Sequence, residues 1–290
     1  MIYGITGNTQ KEQLWKPVAE LLRWLQQQGL QAKLHPAVAE GLTQRKLLNE
    51  AQVVAYTARD LATEVDIILS FGGDGTLLQS AHLAGRHGTP ILGINIGRMG
   101  FLADVEVEHV REAISALERG DYTVEARMAL EAELEQELPA ELSWALNEFV
   151  IDRSGPAGLI TIDVKVDGVP LNRYWADGLI FSTPTGSTAY SLSAGGPIVS
   201  PACEVIILTP IAPHTLTLRP IVLPASVTLE THVYTGGQPY VLAADGRSQL
   251  IAQEGQRITI RRAAHTVNLV KLPEQHYFRT LRTKLMWGAR

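Results

Sequence analysis

The sequence predicts an α/β domain followed by an all-β, sandwich-like domain, with a C-terminal helix that returns to the first domain. Up to about residue 125, apolar strand segments alternate with helical segments, which is typical of a parallel sheet flanked by helices. Beyond that point short β-type segments follow one another, separated by Gly, Pro and Asp, which favours a sandwich. We therefore assign residues 1–125 to the α/β domain, 126–271 to the β-rich domain and 272–290 to the returning segment.

The first domain opens with a strand over Met1–Thr6 and continues with an amphipathic helix that Gly29 is expected to end. The apolar residues that recur at helical spacing in this helix are Leu14, Val18, Leu21, Leu22 and Leu25. Val65–Phe71 is a continuous apolar run, typical of a strand that is covered on both faces. The remaining predicted elements are a helix over Thr76–Arg86, a strand over Pro90–Ile94 and a helix over His109–Arg119.

The second domain is predicted from strand segments and from two turns. The strand segments are Leu159–Val166, Val205–Leu208, Val227–Val233 and Arg257–Arg261. Asp167-Gly168 and Asp245-Gly246 stand between such segments and have the composition of two-residue hairpin turns. The last segment, Tyr277–Trp287, has a helical pattern and supplies the returning helix.

Charge and cysteine content exclude several classes of protein. The formal net charge of -5 over 290 residues argues against a broad nucleic-acid interface, because such an interface needs a basic face. Cys203 is the only cysteine, which excludes an intrachain disulfide, and the apolar run beside it predicts a core residue. No apolar run approaches the ~20 residues of a membrane span, and the N-terminus lacks a leader pattern. We expect a cytoplasmic protein without membrane or nucleic-acid partners.

The first segment with chemical character is Gly72-Gly73-Asp74-Gly75-Thr76, between a predicted strand and a predicted helix. Glycines let the backbone approach a ligand, and consecutive amides at a helix N-terminus suit a phosphate. The carboxylate of Asp74 would repel phosphate, so it either accepts a proton from an attacking hydroxyl or helps to hold a metal. A tight turn with Asp74 as the helix N-cap is the structural alternative. The segment is not a P-loop, because no Gly-Lys-Ser/Thr follows.

Two shorter segments follow predicted strands. The segment Asn95–Leu102 follows a predicted strand, where open α/β sheets form their ligand crevice. If the segment lines such a crevice, its two glycines let a substrate approach and Arg98 faces a phosphate. The adjacent Asn147 and Glu148 have the groups to grip a ribose diol or a base edge. Taken singly, the first segment is explained better by an ordinary glycine-rich loop with a solvated arginine, and the second by an exposed strand end.

The longest candidate segment begins at Asp177, where an apolar strand runs into a loop rich in hydroxyl groups. The hydroxyl residues of this loop are Ser182, Thr183, Thr185, Ser187, Thr188 and Tyr190. Hydroxyls and exposed amides in one loop suit a phosphate and a sugar, and Tyr190 is able to stack or to donate a hydrogen bond. A purely structural loop needs only one or two turn residues, so the number of hydroxyls favours a binding loop.

Together these segments resemble the NAD kinase family. The matching motifs are GGDGT at Gly72–Thr76, NIGRMGFL at Asn95–Leu102, NE at Asn147–Glu148 and DGLIFSTPTGSTAY at Asp177–Tyr190, with SLSAGGP following. GGDG alone also occurs in phosphofructokinases and in diacylglycerol-type lipid kinases, so NE and the hydroxyl loop make the resemblance specific. It covers roughly residues 65 to 250. The chain departs from some relatives at Trp175, where they carry a basic side chain, and at Gly246, where they carry a histidine.

The resemblance implies a role for each matching residue. Asp74 matches the general base for the adenosine 2′-hydroxyl, within a phosphate-contacting loop formed by Gly72, Gly73, Gly75 and Thr76. The positions that match NAD-binding residues are Asp74, Gly75, Asn147, Glu148, Asp177, Thr185, Thr188, Ala189, Tyr190, Ser193, Ala212 and Asp245. The resemblance also implies an α/β nucleotide-binding domain, a β-rich NAD-binding domain and assembly as a homodimer or homotetramer.

The expected activity is NAD kinase, which transfers the γ-phosphoryl group of ATP to the 2′-hydroxyl of the adenosine ribose of NAD and yields NADP. Since the histidines show no metal-ligand spacing, we expect no protein metal centre, and Mg²⁺ bound mainly through ATP. A diacylglycerol-type lipid kinase is the first alternative, but no basic amphipathic helix suggests a membrane-facing patch. A non-catalytic dinucleotide sensor is the second, and it would not need Asp74 among the glycines. The sequence leaves open which phosphoryl donor is used, and whether NAD or NADH is the acceptor.

Overall fold

A computed structural model describes residues 1–97, 100–103, 105–135, 138–155 and 158–287 of the chain. Arg98, expected to face a phosphate, lies outside the described residues. The chain divides into two compact units, one of Met1–Ala126 with Val267–Arg290 and one of Arg127–Thr266. These divisions lie close to the predicted boundaries at 125 and 271.

The first unit is built on a parallel sheet. Its strands are β1 (Ile2–Gly7), β2 (Gln31–Leu34), β3 (Ile67–Gly72), β4 (Ile91–Asn95) and the short β5 (Val105–Glu106). Their order is β2-β1-β3-β4-β5, and each neighbouring pair is parallel. Every residue of β3 is buried, which confirms the prediction of a strand covered on both faces.

Helices flank this sheet, as the βαβ alternation predicts. They are α1 (Trp15–Gln27), α2 (Pro36–Gln44), α3 (Glu50–Tyr56), α4 (Leu61–Glu64), α5 (Asp74–Ala84) and α6 (Val110–Arg119). Gly29 and Gly120 have φ angles of 70° and 76° just after α1 and α6, where a left-handed residue ends the helix. The N-cap of α5 is Gly73, without a side-chain cap, so the interpretation of Asp74 as an N-cap is wrong.

The second unit consists of antiparallel strands. They are β6 (Thr123–Leu134), β7 (Trp144–Ala145), β8 (Glu148–Arg153), β9 (Ile160–Val166), β10 (Val169–Ala176), β11 (Gly178–Ser182), β12 (Val205–Ile211), β13 (Ile221–Pro224), β14 (Leu229–Tyr234), β15 (Tyr240–Ala244), β16 (Arg247–Ile251) and β17 (Arg257–Lys271), with the short helix α7 (Tyr190–Ser193) after β11. One sheet, here called the β8 sheet, has the order β13-β12-β11-β8-β15-β16. The other, here called the β9 sheet, contains the neighbours β10-β9-β14-β17.

The two sheets share one apolar core. Phe149 and Phe181 of the β8 sheet lie in the same buried cluster as Ile162 and Leu229 of the β9 sheet. This arrangement is the predicted sandwich. Along β8 the core-facing residues alternate with residues of the opposite face, because successive side chains of a strand point to opposite sides.

Both predicted hairpin turns are confirmed. Asp167-Gly168 joins β9 to β10 with φ angles of 49° and 80°, and Asp245-Gly246 joins β15 to β16 with φ angles of 49° and 84°. A positive φ at both central residues defines the type I′ turn, whose twist matches that of the flanking strands. Gly246 therefore has a role in the turn itself.

The C-terminal segment belongs to the first unit. From Val267 onward β17 is part of that unit, and Leu269 pairs in parallel with Ile91 of β4. Helix α8 (Tyr277–Leu285) follows in the same unit, where Leu281 is buried. No helix of the described residues is long and apolar enough to cross a membrane.

Cys203 is exposed, so the expectation of a core residue is wrong. Its backbone N–H donates to the carbonyl of Ser200, which places the residue in a turn just before β12. The apolar run beside it belongs to the strand and does not include the cysteine.

Candidate functional site

The glycines of Gly72–Thr76 fall into two groups: packing requires Gly72, whereas it does not require Gly73 or Gly75. A Cβ on Gly72 would lie 2.1 Å from Thr76 Oγ1, so helix packing against the end of β3 requires a glycine there. A Cβ on Gly73 or on Gly75 would meet nothing within 4 Å, and neither residue has a positive φ. The fold therefore does not require these two glycines. They leave open space beside the free amides at the start of α5, where a phosphate is favoured.

Asp74 is the first residue of α5, and its carboxylate joins the glycine loop to the segment after β4. Oδ2 accepts the N–H of Phe101 at 2.8 Å, while Oδ1 accepts those of Leu102 at 3.0 Å and Ala103 at 3.1 Å. A Cβ on Gly100 would lie 1.8 Å from Oδ1, so only glycine admits this contact. The carboxylate is thereby fixed in orientation before any substrate binds.

Three loops of the first unit meet at the carboxyl edge of its sheet, where open α/β sheets bind ligands. Gly72 of β3 pairs with Asn95 of β4, and Asn95 Oδ1 accepts the N–H of Gly97 at 2.9 Å. Lys11, in the loop after β1, places its Nζ 3.9 Å from the position that a Cβ on Gly97 would occupy. This exposed cation was not singled out by sequence reasoning, and its position after the first strand was the available signal.

In the second unit, Asp245 organises the segment that contains Asn147 and Glu148. Its Oδ2 accepts the N–H of Leu146 at 2.7 Å, and its Oδ1 accepts those of Asn147 at 2.8 Å and Glu148 at 3.3 Å. The resemblance implied only a pocket position for Asp245. Its carboxylate also shapes the Asn147–Glu148 segment from the far side of a hairpin.

Asn147 and Glu148 are buried and incompletely bonded. Their exposed fractions are 7% and 8%, and neither Asn147 Oδ1 nor Glu148 Oε2 has a hydrogen-bond partner among the described residues. Burial, and secondarily the carboxylate of Asp245, raise the pKa of Glu148 to about 8. Buried polar atoms are normally hydrogen-bonded, so these two oxygens point to a ligand that forms hydrogen bonds with them.

The hydroxyl loop is more structural than its composition suggested. Ser182, Thr183 and Ser187 are fully buried. Each hydroxyl donates to a backbone carbonyl. Thr183 donates to the carbonyl of Leu146 at 2.6 Å, Ser182 to that of Thr183 at 2.9 Å and Ser187 to that of Pro184 at 2.7 Å. Counting hydroxyls therefore overstated the binding character of the loop.

Four predicted positions lie between or after these structural hydroxyls. Thr185 is buried, Thr188 and Ala189 are half-buried, and Ser193 at the end of α7 is exposed. The loop is held against the face of the β8 sheet that points away from the sandwich core, because Ser191 Oγ and Thr209 Oγ1 of β12 are 2.9 Å apart. These four side chains thus remain candidates for contact with a ligand.

A cavity of about 340 Å³ opens at the other end of strand β8. Its lining includes Asp152, Arg153, Asp177 and Tyr190. Arg153 Nε lies 3.0 Å from Asp177 Oδ1, so the guanidinium holds this carboxylate in place. Tyr190 is 40% exposed, and its pKa is raised by burial first and then by the neighbouring carboxylates.

Ala212 lies beside this cavity, directly after the lining residue Ile211. Its φ of 42° is in the left-handed region, which is uncommon for alanine and costs roughly 1–2 kcal/mol. Strain of this kind persists only where the surroundings impose it, and it is concentrated at functional sites. The assignment that the resemblance gives to Ala212 stays a prediction.

Strand pairing places the predicted residues of the second unit at two ends of one sheet face. Ser182 of β11 is opposite Glu148, and Gly178 is opposite Asp152, so Glu148 and Asp152 share the face away from the core. Sequence reasoning missed Asp152 and Arg153. The available signal for Asp152 was its spacing of four residues from Glu148, which puts two carboxylates on the same face of a largely apolar strand.

An α/β unit with a glycine loop at the carboxyl edge of its sheet, and a sandwich unit with buried unpaired polar groups, define a two-domain nucleotide-binding protein of the kinase class. The model of the ATP-NAD kinase N-terminal domain matches residues 3–122, and that of the ATP-NAD kinase C-terminal domain matches residues 146–272. The chain belongs to the ATP-NAD kinase family.

Similar proteins support this membership along the whole chain. The NAD kinase of Bacteroides fragilis is 40% identical over 293 residues, which cover 100% of this chain and 99% of the relative. The NAD kinase of Cytophaga hutchinsonii is 36% identical over 288 residues, covering 99% and 98%.

Two solved structures share the fold. A yeast NADH kinase complexed with NADH has a TM-score of 0.88 at 26% identity, covering 100% of this chain and 89% of the yeast chain. An Archaeoglobus fulgidus NAD kinase in complex with ATP has a TM-score of 0.75 at 27% identity, covering 99% of both chains.

Proposed function

We propose that this protein is a phosphotransferase that moves the γ-phosphoryl group of ATP to the 2′-hydroxyl of the adenosine ribose of NAD and yields NADP. The observation that carries the proposal is the pair of buried, unpartnered oxygens on Asn147 and Glu148. They lie in the segment that matches the dinucleotide-binding NE motif, within a chain of the ATP-NAD kinase family. A site built with unpaired buried groups discriminates strongly for the ligand that pairs them.

In the first unit, backbone amides and one cation are suited to the phosphates of the donor. The open space at Gly73 and Gly75 admits a phosphate to the amides at the start of α5, and Lys11 adds a positive charge at the same sheet edge. Phosphoryl transfer depends mainly on positioning and on neutralising charge, which these groups supply. In the reaction the ribose oxygen bonds to the γ-phosphorus as the bond between that phosphorus and ADP breaks.

The proton of the ribose hydroxyl goes to Asp74 in this proposal. A carboxylate oxygen offers two lone pairs. Oδ1 uses both on Leu102 and Ala103, whereas Oδ2 accepts only Phe101 among the described residues. Oδ2 therefore retains the lone pair that takes the proton, while Oδ1 keeps the carboxylate in position.

We propose that Mg²⁺ is held mainly by the phosphates of ATP. Within the described residues, no group of three or more His, Cys, Asp or Glu side chains could hold a metal ion. Mg²⁺ usually keeps several waters and binds through substrate phosphates with at most one or two carboxylates. When bound, Mg²⁺ neutralises phosphate charge and orients the donor.

The test is a coupled assay with Mg²⁺-ATP and NAD, read through an NADP-specific dehydrogenase, on wild type and Asp74→Asn. General-base assistance typically accelerates a reaction by a factor of ~10²–10⁴, so we expect the kcat of Asp74→Asn to be lower than that of wild type by a factor in that range. Asparagine keeps an oxygen that accepts the N–H groups of Leu102 and Ala103, but its amide nitrogen cannot accept the N–H of Phe101. Because this loss lowers the stability of the variant, the rates are compared well below its melting temperature.

Asp60→Asn is the matched control, because Asp60 caps α4 in the same unit and asparagine caps equally well. We expect its kcat to equal that of the wild type. Turnover of Asp74→Asn within a fewfold of wild type would show that Asp74 is not the base. An inactive wild type, with ATP, other nucleotides and polyphosphate all tried as donor, would contradict the kinase proposal itself.

Cytoplasmic location and assembly as a homodimer or homotetramer complete the proposal. The single cysteine favours a reducing compartment, and the family resemblance implies the assembly. Light scattering on the purified protein measures the assembly directly. A strictly monomeric, active enzyme would contradict this part of the proposal.

A further inference from the structure

Lys11 lies in a turn that is hydrogen-bonded to the residue before the glycine loop. The backbone N–H of Asn8 donates to the carbonyl of Phe71, directly before Gly72, at 3.0 Å. The N–H of Lys11 donates to the carbonyl of Asn8 at 3.1 Å, which closes the turn. The ammonium of Lys11 forms no ion pair or side-chain hydrogen bond with another described residue, so its charge is available to a ligand.

A carboxylate stands next to this ammonium in the chain. Glu12 directly follows Lys11, and its side chain is 77% exposed. Arg45, the residue after helix α2, binds both carboxylate oxygens, with Nε 3.3 Å from Oε1 and a terminal nitrogen 2.9 Å from Oε2. Hydrogen bonding to Arg45 is the largest cause that lowers the pKa of Glu12. The carboxylate is therefore ionised at neutral pH, and the guanidinium compensates its charge.

The guanidinium of Arg45 is fixed by two further groups. Its central carbon lies 4.1 Å from the ring centre of Trp15, which is 3% exposed, and an aromatic face attracts a cation. A terminal nitrogen donates to the carbonyl of Gly41 at 3.3 Å. A Cβ on Gly41 would lie 2.1 Å from Cη2 of Trp15, so only glycine lets the ring occupy this position. These contacts direct Arg45 toward Glu12.

Without Arg45, the charge of Glu12 would oppose the binding of a polyphosphate at Lys11. The Cα atoms of consecutive residues are about 3.8 Å apart, well within the Debye length of ~8 Å at physiological ionic strength. An uncompensated carboxylate there would repel phosphate. Lysine also has a flexible stem and a compact ammonium, which a neighbouring carboxylate is able to capture. Both effects would reduce the attraction that Lys11 offers to a phosphate.

We propose that Arg45 is a positioning residue for the phosphoryl donor, because it neutralises Glu12 and leaves the ammonium of Lys11 to the phosphates of ATP. The inference rests on the proposed function, since it takes Lys11 as a ligand of the donor. An exposed ion pair contributes little to the stability of a fold. Loss of Arg45 should therefore change donor binding more than folding.

Calorimetric titration of the full chain with Mg²⁺-ATP, without NAD, measures this effect. We expect Arg45→Ala to raise the Kd for Mg²⁺-ATP by about two- to fivefold, the range for an exposed charge pair. The double variant, Arg45→Ala with Glu12→Gln, lacks the uncompensated carboxylate, so its Kd should return to that of wild type. Added salt should narrow the difference between Arg45→Ala and wild type. In steady-state kinetics the KM for ATP should rise, while kcat and the KM for NAD stay unchanged.

Arg119→Ala is the matched control, because Arg119 also forms an exposed ion pair within the first unit, with Asp121 at 2.7 Å. Arg119 follows Glu118, which accepts the hydroxyl of Tyr3 near the start of β1. The pair therefore lies at the opposite edge of the sheet from the glycine loop. The Kd of Arg119→Ala for Mg²⁺-ATP should equal that of wild type.

A second variant keeps the test valid if the melting curve shows that Arg45→Ala is unfolded. In Arg45→Gln the side chain can still lie over Trp15 and donate to Glu12, but it carries no charge. It should weaken Mg²⁺-ATP binding in the same way, and Glu12→Gln should again restore the affinity.

An unchanged Kd in the folded Arg45 variants would overturn the inference, and so would a difference that does not respond to salt. An equal rise in the double variant would also overturn it, because Arg45 would then only shape the fold. If wild type does not bind Mg²⁺-ATP, the inference and the proposed function fall together. The predicted pattern of Kd values in a protein that forms no NADP would support the inference and contradict the proposed reaction.

Discussion

Glu148 shows how a single residue links the candidate site to the stability of the fold. Its pKa is raised from 4.5 to about 8 by burial and by the carboxylate of Asp245. The native protein therefore holds a proton on Glu148 at neutral pH, whereas the unfolded chain releases it. In that window the unfolded state binds fewer protons than the native state, so stability falls as pH rises from about 4.5 to about 8.

At the residue scale we predict that Glu148→Gln abolishes this part of the pH dependence. Glutamine has the same shape and is never ionised, so the variant should match wild type near about pH 4.5. It should exceed wild type by on the order of a few kcal/mol at and above about pH 8. Urea unfolding at a series of pH values measures the difference, with Glu230→Gln as the charge-loss control. Parallel pH profiles for Glu148→Gln and wild type would show that Glu148 is ionised in the native state.

At the scale of an element, the glycine loop and helix α5 contain one glycine that packing requires and another that it does not require. Gly72 is required by its contact with Thr76, but Gly75 lies exposed within the first turn of α5 with nothing near its missing side chain. Alanine is favoured over glycine within a helix by roughly 0.8–1.0 kcal/mol. A glycine that the helix does not need indicates that something else must approach the backbone there.

We predict that Gly75→Ala raises the melting temperature and lowers activity. The stabilisation should approach ~0.4–1 kcal/mol, while the methyl group occupies space at the proposed phosphate site and should raise KM for ATP. Thermal unfolding and steady-state kinetics measure the two effects. Gly29→Ala is the reciprocal control, because its φ of 70° makes alanine unfavourable at a position remote from the loop.

Gly29→Ala should therefore lose stability and keep full activity. If Gly75→Ala were stabilised with unchanged KM and kcat, phosphate would not approach the backbone at this position. The roles assigned to the start of α5 would then have to be abandoned.

At the scale of the whole molecule, the last part of the chain completes the first unit. Leu269 is 1% exposed, and Val270 belongs to the same buried cluster as the residues of β1 and β3. The α/β unit is thus not formed by residues 1–126 alone. Its core closes only when the end of β17 has paired with β4.

We predict that Leu269→Ala destabilises the protein by about 2–5 kcal/mol, the usual cost of removing a buried leucine side chain. Leu216→Ala makes the same chemical change at a residue that is 91% exposed, and it should stay within about 0.5 kcal/mol of wild type. Denaturant unfolding compares the two variants. Equal stabilities would mean that β17 contributes little to the first unit.

Local patterns predicted the elements that are themselves locally determined. The 3.6-residue period of α1, the continuous apolar run of β3 and the Asp-Gly turns at 167 and 245 depend on neighbours a few residues apart. Helices α2, α3 and α4 were missed because they are short, although Val38, Ala39 and Leu42 of α2 are buried at helical spacing. The capping box of Asn49 and Gln52 was the one local signal for α3.

The candidate site divides in the same way. The two turns and the motifs of the ATP-NAD kinase family each occupy a short run of residues, and the fold class follows from the order of such runs, so all three were predictable from the sequence. What the side chains do depends on contacts between distant parts of the chain: Asp245 accepts backbone amides 97 to 99 residues away, and Asp74 accepts amides 27 to 29 residues away. Hydrogen bonds and charges act through space, so residues distant in the chain set these roles, and no local pattern contains them.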